Sequence, residues 1–433
     1  MVAGLIALFA LHDFTQSEGV LFNANMSAAA ILALLYLWLA IFGAKHSFSE
    51  IEKSMGPALH TLVWLAVGLL LGFGLRDIEQ SLGTDSVASA FLLYATLILL
   101  IFFVLHRRTG WQPLSEPLLL ILPLLGVTLL SYVTHDQNLS SHYGWVIFPM
   151  ALAAHYLMLR HLEQVARYPL GMLHLATFLI VTLAVGWQLS KWLQPPQGIW
   201  ATSAWGFTLV SAWVISRQLR NMAWPFQQYS AELVTLLPRC LVVMLSVWLV
   251  AANLGAPGAA GGLAYLPLLN PLDVISLSAL AVVMAGVLRY DPTFIEDRRI
   301  AYGLPGAMAF LWLNAALLRT YHYWLDIPYR FEPLFRSFAV ESGLSILWST
   351  IGLVAMVIAT RRGWRPLWLI GSALMVAVVL KLFTVDMAGT GTVSRIVAFL
   401  GVGILLLIVG YFAPVPPRQI HTAAPTPDPA PGA

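Results

Sequence analysis

Charged residues are scarce in this chain. They make up 10% of its 433 positions, whereas 59% are hydrophobic. A soluble globular domain usually carries about a quarter charged residues. A soluble chain of the present composition would expose large apolar patches and aggregate. The composition therefore excludes an ordinary soluble protein and indicates an integral membrane protein.

Cysteine and the sequence motifs of common enzymes are also missing. The single cysteine, Cys240, excludes an internal disulfide and any site made of paired cysteines. There is no HExxH, Walker A or GxSxG motif, no complete GxGxxG motif and no convincing metal-ligand spacing. No basic run suits nucleic acid. We therefore expect no cofactor, no metal and no nucleic-acid partner, and no motif assigns a reaction.

Long hydrophobic segments recur along the chain. A membrane-spanning helix needs about 20 mostly apolar residues. Segments that meet this criterion lie near 26–44, 57–75, 87–105, 117–133, 143–159, 169–190, 200–215, 236–254, 271–288, 304–319, 341–360, 367–384 and 393–412. The start, MVAGLIALFAL, has about half this length, so we expect the chain to be the C-terminal part of a longer protein.

The lysines and arginines between these segments follow an alternating pattern. Cytoplasmic loops hold an excess of Lys and Arg. Every second loop is rich in them, whereas most intervening loops hold only Arg76, only Lys191 or none. The basic loops hold Lys45, Lys53, Arg107, Arg108, Arg160, Arg167, Arg217, Arg220, Arg289, Arg298, Arg299, Arg361, Arg362 and Arg365. The pattern predicts an all-α polytopic protein of about 13–14 transmembrane helices, with a cytoplasmic C-terminus.

The domain organisation follows from the same pattern. We predict a transmembrane helical domain over 1–412 and a Pro-rich, disordered cytoplasmic tail over 413–433. Prolines stand near the start of each helix that follows a basic loop, where a missing N–H costs nothing. They are Pro57, Pro113, Pro169, Pro238, Pro305 and Pro366. Their regular recurrence favours an origin from tandem two-helix hairpins.

One intervening loop contradicts the charge rule. It is RTYHYWLDIPYRFEPLFRS, residues 319–337, which we call the arginine segment. If the preceding helix continues into it, four side chains share one face at i, i+3, i+4 and i+7. They are Arg319, His322, Tyr323 and Asp326. Pro328 disfavours helix at the residue before it and ends this run.

The second half of the arginine segment predicts a short amphipathic helix on the membrane surface. Its apolar stripe consists of Phe331, Leu334, Phe335 and Phe338. Arg330 and Arg336 fall outside the stripe, and Pro333 stands early in the helix. Further charged residues map to the same side of the membrane at similar depth: Asp273, Glu341, Lys381 and Asp386.

Two interpretations of these residues stay open. In the first, the aromatic rings form an interfacial belt and the arginines anchor at lipid phosphates. In the second, the charged side chains converge on an outward-facing site. Arginine suits phosphate or carboxylate there, and aromatic rings suit sugars or lipids. The predicted binding residues are Arg319, Tyr323, Arg330, Arg336, Glu341, Lys381, Asp386 and Asp273, with His322 and Asp326 as candidate catalytic bases.

Polar residues inside the predicted spans carry weaker signals. His60, His155 and His174 lie within about two turns of helix ends and are expected to be interfacial or hydrogen-bonded to a helix rather than ligands. Asn314 stands near mid-depth, where hydrogen bonding to a neighbouring helix is expected. The motif GLLLG at 68–72 suggests close helix packing.

Several stretches near the C-terminus resemble a known family. They are LLRTYHYW (317–324), RRGWRPL (361–367), KLFTVDM (381–387) and SRIVAFLGVGILLLIVGYFAP (394–414). Over about 310–417 the chain resembles the bacterial predicted-membrane-protein family known as domain of unknown function 2339. The resemblance implies a multi-pass protein of the bacterial inner membrane. It also implies a longer natural chain with a cytoplasmic N-terminal region, and it implies no activity.

Three functional hypotheses follow. The first is transport or lipid handling, with membrane lipids as partners and the outward-facing site on the substrate path. The second is a membrane-embedded enzyme acting on an anionic lipid-linked glycan, in which Arg319, Arg330 and Arg336 hold phosphate. The third is a non-catalytic scaffold of the cell envelope. A transporter should show charged residues or broken helices at mid-depth, and this chain has few.

Overall fold

The described part of the chain is helical throughout. A computed structural model describes residues 24–46, 49–165, 168–193, 198–257, 265–289 and 302–381, with a few positions between 400 and 411. All regular elements in these ranges are helices, so the predicted all-α class is confirmed. The short apolar start, the span near 393–412 and the Pro-rich tail lie wholly or mostly outside the described residues.

The α-helices of the described residues are numbered in chain order. They are α1 Ala24–His46, α2 Ser49–Ser81, α3 Thr84–Thr109, α4 Ile121–Thr134, α5 Gly144–Leu162, α6 Leu170–Trp192, α7 Ile199–Gln218, α8 Leu237–Gly255, α9 Pro271–Arg289, α10 Gly303–Trp324, α11 Phe331–Phe335, α12 Phe338–Arg362 and α13 Arg365–Lys381. A 3₁₀ helix, Gln112–Leu120, precedes α4. The segment Ala223–Gln227, which is kinked at the extended residue Trp224, and a π-helical stretch, Ala231–Leu236, precede α8.

These helices correspond to the predicted spans. The predicted segments from 26–44 to 367–384 each coincide with a helix in the described ranges. Eight helical stretches in those ranges are long and apolar enough to cross a membrane. The protein is therefore polytopic. The total of about 13–14 crossings and the cytoplasmic C-terminus stay predictions.

Five of the six recurring prolines stand where a missing N–H is harmless, and Pro57 is the exception. Pro113 and Pro238 occupy the first turn of their helices, and Pro169 is the residue before α6. Pro305 and Pro366 are likewise within the first three residues of α10 and α13. Pro57 lies inside α2, because that helix begins at Ser49, before the apolar span.

The chain divides into two compact units. The first comprises the described residues up to 257 and those from 270 to 308, and the second comprises 265–269 and the described residues from 309 onwards. In the first unit one apolar core gathers side chains from α1, α2, α3, α5 and α6, and another gathers side chains from α6 to α9. In the second unit Leu334, Val340 and Leu344 form a small core with aromatic side chains of α10 and the following loop.

Close helix packing occurs at a different glycine pair from the one that the motif suggests. Among the described residues, an added Cβ at Gly68 or Gly72 would meet nothing within 4 Å, so the expectation of close packing at 68–72 was wrong for this part of the chain. In the second unit a Cβ on Gly371 would lie 2.8 Å from the carbonyl oxygen of Gly352. The backbones of α12 and α13 therefore approach closely at these two glycines.

Candidate functional site

The arginine segment begins as the end of α10 and then leaves the helix. The last helical residue is Trp324, and the amide of Leu325 still donates to the Tyr321 carbonyl at 3.1 Å. Asp326 adopts a left-handed backbone with φ of 53°. Pro328 then prevents the chain from resuming the helix directly. Asp326 is exposed and follows the helix end, so its predicted place on the face of Arg319 was wrong.

Arg319 is the largest fully buried side chain among the described residues, with 0% exposure. An arginine is always charged, and removal of its charge from water must be offset by compensating contacts or by a ligand. Arg319 and Tyr323 are four residues apart and therefore neighbours on one face of α10. The sequence predicts a binding site on this face of α10.

Two stacked tyrosines cover this face. The ring of Tyr265 lies 4.7 Å from that of Tyr323, and the two planes differ by 18°. The Tyr265 hydroxyl donates to the Ala316 carbonyl at 3.4 Å, and the Trp324 indole N–H donates to the Tyr265 carbonyl at 3.2 Å. The buried hydroxyl of Tyr323, however, has no hydrogen-bond partner among the described residues. Buried polar groups are rarely left in that state, so this hydroxyl marks a candidate ligand position.

His322 binds the following loop through one ring nitrogen. Its Nδ1 lies 2.6 Å from the Ile327 carbonyl oxygen, which can only accept. Nδ1 must therefore carry the proton, and in the neutral ring the Nε2 lone pair is available as a base. The ring also contacts those of Tyr323 and Tyr329, with centroids 4.6 and 5.6 Å apart.

The other two arginines of the segment lie at the surface. Arg330 is exposed, and the side chain of Arg336 is 79% exposed and pairs with Glu332 at 2.8 Å. In and beside α11, Leu334 is buried, whereas Phe331 and Phe338 are 80% and 81% exposed. A short helix is therefore present, but it ends at Phe335, and Phe338 of the predicted stripe begins α12. Its place on the membrane surface stays a prediction. Its arginines do not join Arg319 in the interior.

The remaining predicted residues differ in their surroundings. Glu341 lies in the first turn of α12, and the Lys381 ammonium donates to the Glu341 carbonyl and to the Ser345 hydroxyl, both at 2.9 Å. Lys381 therefore joins α13 to α12. Asp273 lies in the first turn of α9 in the first unit and is fully buried. Asp386 lies outside the described residues.

Sequence reasoning identified some polar contacts and missed others. Asn314 accepts a hydrogen bond from the Trp348 indole at 2.7 Å, which confirms the expected bond between helices. His155 bonds to Thr177 on α6 at 2.8 Å. The carboxylates that face the other two histidines were missed: Glu116 lies 3.1 Å from His60, and Glu163 lies 3.8 Å from His174. One available signal was that His60 and Glu116 each follow a recurring proline by three residues.

Comparison with known proteins gives one match. The model of a family described as "Predicted membrane protein (DUF2339)" matches residues 1–416. The chain belongs to the DUF2339 family. The match confirms the resemblance drawn from the C-terminal motifs and extends it over the helices before residue 310. No curated protein and no solved structure matches the chain.

Proposed function

We propose that this DUF2339 protein binds and handles an anionic lipid or lipid-linked substrate at the membrane face that carries the arginine segment. The observation that carries the proposal is the buried hydroxyl of Tyr323, which shares a helix face with the buried guanidinium of Arg319. A phosphate oxygen is the acceptor that suits both groups. The stacked ring of Tyr265 adds a flat apolar surface, which suits an acyl chain or a sugar.

The exposed side chains in and around α11 support a lipid rather than a free anion as the substrate. Phe331 and Phe338 expose their rings, while Arg330 and Arg336 expose their guanidinium groups nearby in the chain. A helix of this kind places rings among acyl chains and cations at headgroup phosphates. The free-energy cost of bringing an anionic headgroup towards Arg319 is lower when the lipid is already bound at this surface.

The sharpest test removes one oxygen atom. Tyr323→Phe deletes a hydroxyl that has no partner among the described residues, so folding should change little. If the hydroxyl binds phosphate, affinity for phosphatidylglycerol should fall by about tenfold, the value of one hydrogen bond to a charged group. The measurement is lipid binding to purified protein in micelles containing phosphatidylglycerol or phosphatidylcholine, read by native mass spectrometry.

Tyr265→Phe is the matched control, because that hydroxyl already bonds to the Ala316 carbonyl. It should reduce stability slightly and leave the preference for the anionic lipid intact. Equal retention of the two lipids by the wild type, or unchanged affinity in Tyr323→Phe, would contradict the proposal and leave the envelope scaffold as the better hypothesis.

The enzyme hypothesis has one observation in its favour. The Ile327 carbonyl oxygen accepts from His322 Nδ1, so in the neutral ring the lone pair is on Nε2, where a general base needs it. Chromatography of the same lipid incubations separates the two hypotheses. A hydrolysis product that the wild type forms and His322→Gln does not would favour the enzyme. Lipid bound and recovered unchanged would favour handling without chemistry.

A further inference from the structure

A second polar cluster lies in the first unit, where α5 ends and α6 begins. We call it the histidine cluster, and it contains His155, Tyr156, Glu163, His174, Trp224 and Tyr229. Its residues come from α5, the short turn after it, α6 and the irregular segment between α7 and α8, where Trp224 has an extended backbone.

Glu163 is held by two donors that reach it from far along the chain. The Trp224 indole N–H donates to Glu163 Oε1 at 2.7 Å, and the Tyr229 hydroxyl donates to the same oxygen at 3.2 Å. Burial, together with the charge of Glu163, raises the pKa of Tyr229 to about 12, so the phenol keeps its proton and stays a donor. The Glu163 side chain is 15% exposed and therefore reaches the molecular surface, just beyond the end of α5.

His174 is buried beside this carboxylate. Its side chain is 1% exposed, and Nε2 lies 3.8 Å from Glu163 Oε1. Neither ring nitrogen has a hydrogen-bond partner among the described residues. This is an uncommon state for a buried polar group, and it points to an unassigned role.

Aromatic rings enclose the His174 imidazole on several sides. The centroid of Tyr229 lies 5.0 Å away with planes 34° apart, and that of Tyr156 lies 6.0 Å away at 31°. Trp224 meets the ring edge-on at 5.4 Å. Aromatic faces attract a cation more strongly than a neutral ring. Burial itself disfavours a charge at this position, and the aromatic faces together with the Glu163 carboxylate partly offset that cost for an imidazolium.

Three other ionisable groups lie in the elements that pack around His174: His155, Arg160 and Glu232. From α5, His155 donates Nε2–H to Thr177, because the Thr177 hydroxyl already donates to the Leu173 carbonyl. Arg160 is exposed and lies over the Trp224 ring at 5.7 Å. From the segment before α8, the Glu232 carboxylate packs against Gly171, at the start of α6. The Glu163 carboxylate thus faces His174 directly, and Glu232 lies at Gly171, three residues earlier on α6.

We propose that His174 is a proton-binding site and that Glu163 passes the proton between water and its Nε2. A proton from water first binds the Glu163 carboxylate. A small rotation of that side chain brings its O–H to Nε2, which accepts the proton and becomes part of an imidazolium, and the carboxylate is restored. The net charge of the pair rises from −1 to 0. A buried group that exchanges protons with one membrane face is what a proton-driven transporter requires.

The test measures proton uptake by purified full-length chain in detergent, titrated from about pH 8 to about pH 4. Subtraction of the His174→Gln titration curve from the wild-type curve should show that the wild type takes up one more proton. The corresponding comparison of Glu163→Gln with the double variant Glu163→Gln/His174→Gln should show that His174 binds this proton about tenfold more weakly. The reason is that the neighbouring negative charge is gone. Identical wild-type and His174→Gln curves, or an unchanged midpoint with Glu163→Gln, would overturn the proposal.

Glu116→Gln is the matched control. Glu116 also accepts an indole N–H, from Trp64, and faces His60 at 3.1 Å, but it lies outside the histidine cluster. Glu116→Gln should leave the proton affinity of His174 unchanged. If Glu116→Gln and Glu163→Gln weakened proton binding to His174 equally, Glu163 would have no specific role. If His174→Gln does not yield monodisperse protein, infrared pH-difference spectra of wild type and Glu163→Gln replace it. Equal imidazolium signals at every pH would then overturn the proposal.

Discussion

At the scale of single residues, burial separates side chains that the sequence presents as equals. Arg319, Arg330 and Arg336 belong to one loop that contradicts the charge rule, yet Arg319 is fully buried and the Arg336 side chain is 79% exposed. A guanidinium in the interior needs compensating partners, whereas one at the surface is solvated by water and headgroups. Only Arg319 therefore stays a candidate for an interior binding role.

The bond between Asn314 and Trp348 gives a residue-scale prediction. Asn314→Ala removes the acceptor of the Trp348 indole, and Trp348→Phe removes the donor. A double-mutant cycle on thermal unfolding in detergent should give a coupling of about 0.5–1.7 kcal/mol, as for other hydrogen bonds between membrane helices. Additive effects of the two changes would show that the bond contributes nothing to stability.

At the scale of helices, two glycines decide how closely α12 and α13 pack. The added methyl group of Gly371→Ala would lie 2.8 Å from the Gly352 carbonyl oxygen, which belongs to backbone and cannot rotate away. The helices would have to separate, at a cost of about 1–3 kcal/mol. We expect a lower midpoint of thermal unfolding for this variant.

Gly68→Ala supplies the comparison for Gly371→Ala, because a Cβ at Gly68 would meet no atom of the described part of the chain within 4 Å. Alanine is the better helix former, so this variant should be as stable as the wild type or slightly more stable. Equal destabilisation by the two changes would mean that helix propensity, rather than the contact with Gly352, controls the result.

At the scale of the whole molecule, the alternation of basic loops sets the orientation in the membrane. The arginine segment should face the outside of the cell, although it carries three arginines, because the loops before and after it are basic. Each predicted face of the membrane offers an exposed position for labelling. Asp326 is exposed on the predicted outer face, and Ser230 is exposed on the predicted cytoplasmic face. The only native cysteine, Cys240, can be replaced to leave single reactive thiols.

A membrane-impermeant maleimide tests this orientation. In a Cys240→Ala background, Asp326→Cys should react in intact cells, whereas Ser230→Cys should react only after the membrane is permeabilised. Labelling of Ser230→Cys alone in intact cells would reverse the predicted orientation. Equal labelling of the two would place both positions on one face and refute the alternation.

The sequence by itself determined the membrane class, the helical segments and the outline of the arginine segment. These properties depend on apolar length, on proline positions and on charges near the helix ends, all of which are local along the chain. The family resemblance carried by the C-terminal motifs was likewise available from the sequence, and the family match confirmed it.

Tertiary structure alone decided which charges are buried and which groups meet. The 3.8 Å approach of His174 to Glu163, and the donors that reach that carboxylate from Trp224 and Tyr229, join positions up to 66 residues apart. Helical periodicity gives the face of a residue but not its partner on another helix. The departure of Asp326 from the Arg319 face has a local cause, the end of α10 before Pro328. The sequence showed that break, but it did not show that the helix stops at Trp324.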